Sequence, residues 1–323
     1  MENFKNKPIV KKLGFNRIIL SGVLVLMYFI FSLGSGRMLG QGDMMNVLNM
    51  VDYLGFLALG VTFVIATGGI DFSIGPVMVC SGLIAGRLLV TFGWPLWLSL
   101  IMCVVVGACF GVLNGFLVAY MNLPSFISSM ASMMLAKGVG SVFTHVQNSN
   151  WPKSGDPNSW YKYFVSYKGI PTGLIFLLVV AIICAIIMNK TKVGRYILCI
   201  GSNREAVRLS GVDTRKWEML AYIICGMLAG VAAITYVGVI TQVQPGLGDE
   251  FNNNAIASCV MGGTSMAGGV ASIGGTFIGV LIISLLRVGI QAMGFRPDYQ
   301  YVITGIIVAL AVFADIRSSS RKK

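Results

Sequence analysis

The chain has 323 residues, of which 56% are hydrophobic and only 11% are charged, and its mean hydropathy is +0.80. Because soluble domains carry roughly 25% charged residues, this composition excludes a water-soluble globule and a disordered tail. The net charge of +12 would suggest nucleic acid in a soluble protein, but the basic residues lie mainly in a few loops. We therefore expect an integral membrane protein with no nucleic-acid partner, whose loop charges set its orientation in the membrane.

Apolar segments long enough to span a bilayer recur along the whole chain, since a span needs about 20 apolar residues. The predicted spans are 17–34, 51–68, 72–90, 96–120, 124–146, 173–189, 217–240, 254–263, 272–293 and 299–316. Two of them adjoin glycine-rich breaks, so we expect broken or short helices near 67–76 and 254–271. The predicted fold is an all-α polytopic membrane protein with about ten transmembrane helices, and eight spans is the alternative.

The lysines and arginines predict the orientation of these spans. With the N-terminus inside and ten spans, sixteen of the 24 basic residues lie inside and five outside, as the positive-inside rule expects. We therefore expect a basic cytoplasmic leader (1–16), a single transmembrane domain (17–316) with a cytoplasmic loop (190–216), and a basic cytoplasmic tail (317–323). An eight-span arrangement also places both termini inside, so the charges support an even number of spans more than the number itself.

Glycine spacing predicts close helix packing, because Gly107, Gly111 and Gly115 recur every four residues and form one small-residue stripe. Aromatic residues mark the longest outside segment, about 147–172. We expect them to form either a belt at the membrane interface or a small cap.

The sequence offers little for catalysis. His145 is the only histidine, so a Ser-His-Asp or Cys-His enzyme could use that residue alone. No lysine follows a glycine, so the phosphate-binding loop of Walker A nucleotidases is absent. We expect a protein that is not an enzyme and holds no cofactor of its own.

Asp71 is the charged residue that most needs an explanation, because a charge inside a membrane costs roughly 2.5–3.5 kcal/mol on insertion scales. It follows the glycine pair Gly68 and Gly69, which can leave the helical region. One interpretation is that Asp71 or Ser73 caps a helix beginning at 72–74. The other is a gate or substrate contact at a broken helix.

Further polar residues interrupt the apolar spans. Arg87 and Arg287 can pair or extend towards the interface, and Lys137 precedes Gly138 within the fifth span. Asn114 and Ser125 are explained equally well by hydrogen bonds between helices and by a transport pathway.

The inside loop contains a predicted short helix. Ser202 or Asn203 can cap its N-terminus, Glu205 and Arg208 are spaced to pair, and Gly211 can end it in the left-handed conformation. Such an amphipathic helix can lie on lipid or dock into a groove of a partner protein, and the residues alone favour neither.

In these segments the sequence resembles a known family, the ribose/galactose-type permeases of ABC importers. The stretch Gly69-Ile70-Asp71-Phe72-Ser73-Ile74-Gly75 is similar to the GIDLSVG motif of that family, with Phe72 in place of Leu and Pro76 following as modest departures. Further matching segments are 111–115, 124–127, 191–195, 201–212, 255–257 and 262–269. The resemblance covers about 50–315, with its motifs in the right order.

The resemblance implies a dimer of permease chains in the bacterial inner membrane, identical or not, with separate ATPase subunits that use ATP and Mg²⁺. An extracytoplasmic sugar-binding protein would deliver the substrate. The family also implies a coupling helix, over 203–211, that fits a cleft on the ATPase. Its candidate coupling residues are Asn203, Arg204, Glu205, Ala206, Arg208, Leu209 and Gly211. The candidate pathway or gate residues are Asp71, Phe72, Ser73, Asn114, Ser125, Lys137 and Thr264.

The sequence thus predicts the membrane-spanning permease subunit of an ABC importer that moves a monosaccharide inward. Relatives that carry nucleosides or autoinducer-2 keep those substrates open as alternatives. An ion-coupled secondary transporter is the rival from another class, with Asp71 and Lys137 as its coupling groups.

Overall fold

The computed structural model describes residues 15–36, 39–296 and 298–306, together with 309 and 313, and it is all-helical in architecture, with 75% of residues in helices. The helices are α1 (Phe15–Gly34), α2 (Gln41–Ala66), α3 (Ile74–Val90), α4 (Leu96–Ala119), α5 (Ser125–Thr144), α6 (Thr172–Lys190), α7 (Lys192–Leu209), α8 (Thr214–Val239), α9 (Asp249–Met261) and α10 (Ile273–Ala292). A two-residue strand, β1 (Ser149–Asn150), pairs antiparallel with β2 (Gln242–Val243). Residues 298–306 are also helical.

Six of these helices, α2, α4, α5, α6, α8 and α10, are long and apolar enough to cross a membrane. Apolar helical segments that are shorter lie at Ile18–Gly34 and in α3. The predicted all-α, polytopic architecture is thereby confirmed, while ten spans and cytoplasmic termini stay predictions. Residues 1–14, the tail at 317–323 and eight residues of the predicted span 299–316 lie outside the described residues.

Two helices begin earlier than the hydropathy of their sequences predicts. α2 starts at Gln41 rather than at 51, because its polar first turns are helical and the carboxylate of Asp43 accepts the Gly40 N–H at 3.0 Å. α9 starts at Asp249 rather than at 254, and Asp249 and Glu250 form its acidic first turn. Acidic residues stabilise a helix N-terminus through its dipole, so the helix extends beyond the apolar run.

Helix α2 is the centre of the bundle. Every residue from Met50 to Ala66 is buried. At the neighbouring interface of α4 and α8, a methyl group at Gly107 or Gly111 would collide with the α8 backbone around Gly226. The predicted glycine stripe therefore packs two helix backbones together, which allows the close van der Waals contact that membrane helices need.

The two ends of the bundle hold different segments. At one end, which we call the coupling face after the predicted coupling helix (203–211), the turn after α2 lies beside α7 and the loop that joins α9 to α10. At the other end, the opposite face, β1 pairs with β2. There Trp151 and Tyr161 are buried, with ring centroids 5.3 Å apart. Of the two predicted roles for these aromatics, the structure places Trp151 and Tyr161 in a small cap.

Candidate functional site

The break between α2 and α3 holds a buried polar cluster. Asp71 Oδ1 accepts the Ser73 N–H at 2.8 Å and the Ser73 hydroxyl at 2.6 Å. Asn114 Nδ2, from α4, donates to Ser73 Oγ at 2.8 Å and lies 3.3 Å from Asp71 Oδ2. All three side chains are at most 2% exposed, and a buried polar group is tolerated only where hydrogen bonds replace its water. Three of the predicted pathway residues thus form one network.

The cap of α3 comes from a residue that the sequence analysis missed. Asn252 in α9 accepts the Gly75 N–H through Oδ1 at 2.7 Å and donates to the Phe72 carbonyl through Nδ2. The helix does begin at Ile74 as predicted, but neither Asp71 nor Ser73 caps it, since Asp71 accepts from Ser73 instead. The signal for Asn252 was the run of three asparagines, 252–254, at the start of the predicted apolar span 254–263.

Glycine makes the contact between α3 and α9 possible. A methyl group at Gly75 would collide with the carbonyl of Gly248, the residue that precedes α9. Gly248 itself has φ +124°, a backbone conformation that residues other than glycine rarely adopt. The first turns of the two helices therefore touch through their backbones, and Asn252 bridges them.

The other predicted pathway residues lie around this cluster or away from it. Phe72 packs edge-to-face on Phe126 with ring centroids 5.7 Å apart, and Ser125 Oγ accepts the Ile70 N–H at 3.2 Å. Thr264 is buried in the loop between α9 and α10, where its hydroxyl accepts the Ser272 N–H at 3.2 Å. The structure therefore joins Ser125 and Phe72 to the break at Asp71, whereas Thr264 closes its own loop.

Two predicted membrane charges have partners in the described part of the chain. Lys137 Nζ lies 2.6 Å from Asp249 Oδ2, which links α5 to the first turn of α9. Arg87 Nη1 donates to the Thr144 carbonyl at 3.1 Å, so it ties α3 to the end of α5. Pairing was a predicted explanation for Arg87 but not for Lys137, whose ion pair with Asp249 is shown by the fold alone.

The coupling segment has the local structure that its sequence predicts. Asn203 interrupts α7 with φ −161° and ψ 95°, and its Oδ1 accepts the Ala206 N–H at 3.0 Å. It is therefore the N-cap of a short helix, whereas Ser202 bonds to the Leu198 carbonyl. Gly211 follows that helix with φ +83°, which confirms its left-handed conformation. The segment before Asn203, predicted to be loop, is also helical because α7 begins at Lys192.

Charge on the short helix is divided between its surface and its base. Arg208 Nη2 lies 2.6 Å from Glu205 Oε1, and both side chains are more than 60% exposed. The Arg208 guanidinium holds the pKa of Glu205 below its ordinary value. Arg204 instead pairs with Glu218 in α8, and Arg204 Nη2 lies 2.6 Å from Glu218 Oε2. The Glu218 side chain is only 10% exposed. Glu205, Arg208 and Leu209 therefore face outward, and Arg204 fastens the helix to the bundle.

Three segments of the chain meet at Gly201, just before the kink. A methyl group at this position would collide with the Ala66 carbonyl at the end of α2 and with the Gly269 N–H. That N–H donates to the Ala66 carbonyl at 3.0 Å. Gly201, two residues before the predicted coupling segment (203–211), thus touches the end of α2 directly before the predicted break at 67–76, and it touches Gly269 inside the predicted break at 254–271.

A cleft of about 350 Å³ opens beside this contact on the coupling face. Thr67 and Gly68 line it from the turn after α2, and Ser125 lines it from the start of α5. Arg204 and Glu218 line it from the predicted coupling helix and from α8. The ion pair that anchors the coupling helix is therefore part of the same cleft as the turn after α2.

Comparison with known proteins assigns a family to this arrangement. Residues 44–312 match the family model described as "Branched-chain amino acid transport system / permease component". The ribose import permease protein RbsC of Escherichia coli K12 is 32% identical over 298 residues, 92% of each chain. RbsC of Bacillus subtilis is 32% identical over 299 residues, again 92% of each chain.

A xylose relative extends the comparison. The xylose transport system permease protein XylH of Haemophilus influenzae is 29% identical over 364 aligned residues, which cover 95% of this chain and 96% of that protein. No solved structure matches the chain. The chain therefore belongs to the permease family described as the branched-chain amino acid transport system permease component, and with its apolar helices it is a multi-pass protein of the bacterial inner membrane.

Proposed function

We propose that this chain is the membrane-spanning subunit of an ABC importer that moves a monosaccharide inward. An extracytoplasmic binding protein delivers the sugar, and separate ATPase subunits supply the energy with their own ATP and Mg²⁺. The sugar assignment rests on the ribose and xylose permeases that align along nearly the whole chain. The coupling face carries the basic loop at 190–216, and basic loops favour the cytoplasmic side of a membrane. We therefore assign this face and both termini to the cytoplasm.

The observation that carries the coupling role is the position of Gly201. A capped helix with an exposed, charged surface suits docking into a groove of another protein. Gly201 touches Ala66, directly before the predicted break at 67–76, and Gly269, inside the predicted break at 254–271. Because packed interiors transmit strain, a displacement of this helix would pass through packed backbone towards both segments. This contact supports ATPase closure as the event that moves the permease between its outward-open and inward-open states.

Affinity purification of the full chain from its native membrane, in mild detergent, tests the assembly. Mass spectrometry should find an ATPase in stoichiometric amount, and a second permease sequence would show whether the dimer is mixed. Recovery of the chain alone, also after mild crosslinking, contradicts the proposal and favours an ion-coupled transporter. In that case uptake by the chain in vesicles would collapse when the proton or sodium gradient is removed.

A further inference from the structure

A second cleft, of about 490 Å³, lies at the opposite face of the bundle. It reaches from β2, at the end of α8, to the first turn of α9, and helices α2 and α10 contribute to its walls. Its size falls in the range of small-molecule sites, which are roughly 300–1,000 Å³. Of the predicted pathway residues, none lines it, although Lys137 pairs with Asp249 at its edge.

Three aromatic rings form the buried wall of this cleft. Tyr53, Tyr236 and Phe251 pack against one another edge-to-face, with ring centroids 5.4–5.5 Å apart. Each residue is at most 6% exposed, so the rings are fixed by packing. An aromatic face carries negative charge density and attracts positively polarised hydrogens, which suits the C–H face of a sugar ring.

Polar groups stand opposite the aromatic wall. Glu250 Oε2 accepts the Tyr301 hydroxyl at 2.9 Å, while Arg287 Nη1 lies 3.6 Å from Glu250 Oε1. That separation is too long for a hydrogen bond, and Arg287 Nη1 has no hydrogen-bond partner in the described part of the chain. Gln242 and Gln244 also line the cleft. Donors and acceptors are therefore both available, as adjacent hydroxyl groups require.

The charges of the cleft balance each other. Glu250 faces Arg287, and Asp249 is paired with Lys137 at 2.6 Å. Each carboxylate thus has its own cation, so the site does not favour a strongly charged solute. The aromatic wall, the unpartnered Arg287 Nη1 and the balanced charge together fit a neutral polyhydroxylated ligand.

We infer that this cleft binds the monosaccharide at the extracytoplasmic side, after release from the binding protein. The inference rests on the proposed function and adds a site to it. Arg287 and Glu250 bind hydroxyl groups, and the ring wall of Tyr53, Tyr236 and Phe251 contacts the apolar face of the sugar.

Protection of an introduced cysteine tests the cleft directly. Leu247 lines it and is 47% exposed, so Leu247→Cys places a thiol there, in a background where the exposed Cys109 and Cys199 are changed to Ser. The complete purified assembly in nanodiscs is labelled with a polar maleimide, with and without D-ribose, D-xylose, D-glucose, D-galactose or L-leucine. Ile170→Cys, 54% exposed in the segment between α5 and α6, is the matched control.

At a sugar concentration equal to its Kd, labelling of Leu247→Cys should slow about twofold, because half of the sites are occupied. Labelling of Ile170→Cys should stay unchanged. Glu250→Gln and Tyr301→Phe should each weaken the protection, whereas Tyr299→Phe, a change of the same kind on an exposed neighbour, should preserve it.

Absence of protection by every sugar, or protection by L-leucine alone, would overturn the inference. Sugar uptake by the unmodified assembly is measured in parallel, since it reports on the proposed function. Uptake without protection would reject the cleft and leave the importer standing, whereas lack of uptake and of a bound ATPase would reject the importer.

Discussion

Gly201 lies against the carbonyl of Ala66 so closely that a methyl group at Gly201 would collide with it. The two residues belong to different elements, since Gly201 precedes the coupling helix and Ala66 ends the central helix α2. The contact therefore joins the surface that faces the proposed ATPase to the core of the bundle.

Gly201→Ala should lower both stability and uptake, because overpacking of a tight contact costs about 1–3 kcal/mol. Gly22→Ala is the matched control, since Gly22 lies in α1 with open space around it and alanine is favoured in helices. The measurement is the midpoint of thermal unfolding of each purified variant, monitored by size-exclusion chromatography. Equal midpoints for both variants and the parent chain would show that the contact at Gly201 is looser than described.

Glu205→Lys or Ala206→Asp should uncouple ATP hydrolysis from transport and leave the permease in the membrane. The Glu205–Arg208 pair is exposed, and exposed ion pairs contribute little to folding. Losing about 1.4 kcal/mol of docking energy weakens an interface tenfold. The ratio of uptake to ATP hydrolysis in proteoliposomes is the measurement.

The double variant Glu205→Arg with Arg208→Glu provides the control for this helix. It keeps the ion pair within the helix but exchanges the positions of the positive and the negative charge on the surface that a partner would contact. Normal uptake in the double variant would assign the pair a local role only, and unchanged uptake in both single variants would count against a coupling helix.

Exchange of the two polar partners at the break tests the network at Asp71. Asp71→Asn should impair uptake and cost about 1–3 kcal/mol, because the amide keeps one oxygen for Ser73 but places an NH2 donor opposite the Asn114 NH2 in a buried site. Asn114→Asp should be more harmful, since it opposes two buried carboxylates. The double variant should recover part of the loss, which a double-mutant cycle on stability and uptake would measure.

If the double variant is no better than the sum of the single changes, Asp71 and Asn114 act independently. Normal uptake by Asp71→Asn would leave Asp71 without a necessary part in transport.

Local signals in the sequence predicted much of this structure, but they could not predict contacts between segments that are distant in the chain. Asn203, Glu205 and Gly211 interact within a few residues, so their roles follow from capping and spacing rules. The cap from Asn252 reaches Gly75 across 177 positions, and no local pattern specifies such a partner. The helix starts at Gln41 and Asp249 were also missed, since hydropathy detects the apolar part of a helix and not its polar first turns.

Thr264 and Lys137 were predicted as pathway or gate residues together with Asp71. Only the fold separates them, as Lys137 pairs with Asp249 and Thr264 closes its own loop. It also brings Tyr53, Tyr236 and Glu250 to one cleft from three helices.

Asn252→Ala should destabilise the permease by about 1–3 kcal/mol, because it leaves the Gly75 N–H and the Phe72 carbonyl without their partner in a buried site. Asn252→Asp keeps the acceptor for Gly75 but loses the donor to Phe72, and it adds a charge near Gly248, so it should not restore stability. Asn253→Ala, on the exposed side of the same helix turn, is the control and should behave like the parent chain. Thermal unfolding in detergent decides the matter: if Asn252→Ala and Asn253→Ala unfold at the same temperature, the bridge between α3 and α9 contributes nothing to stability.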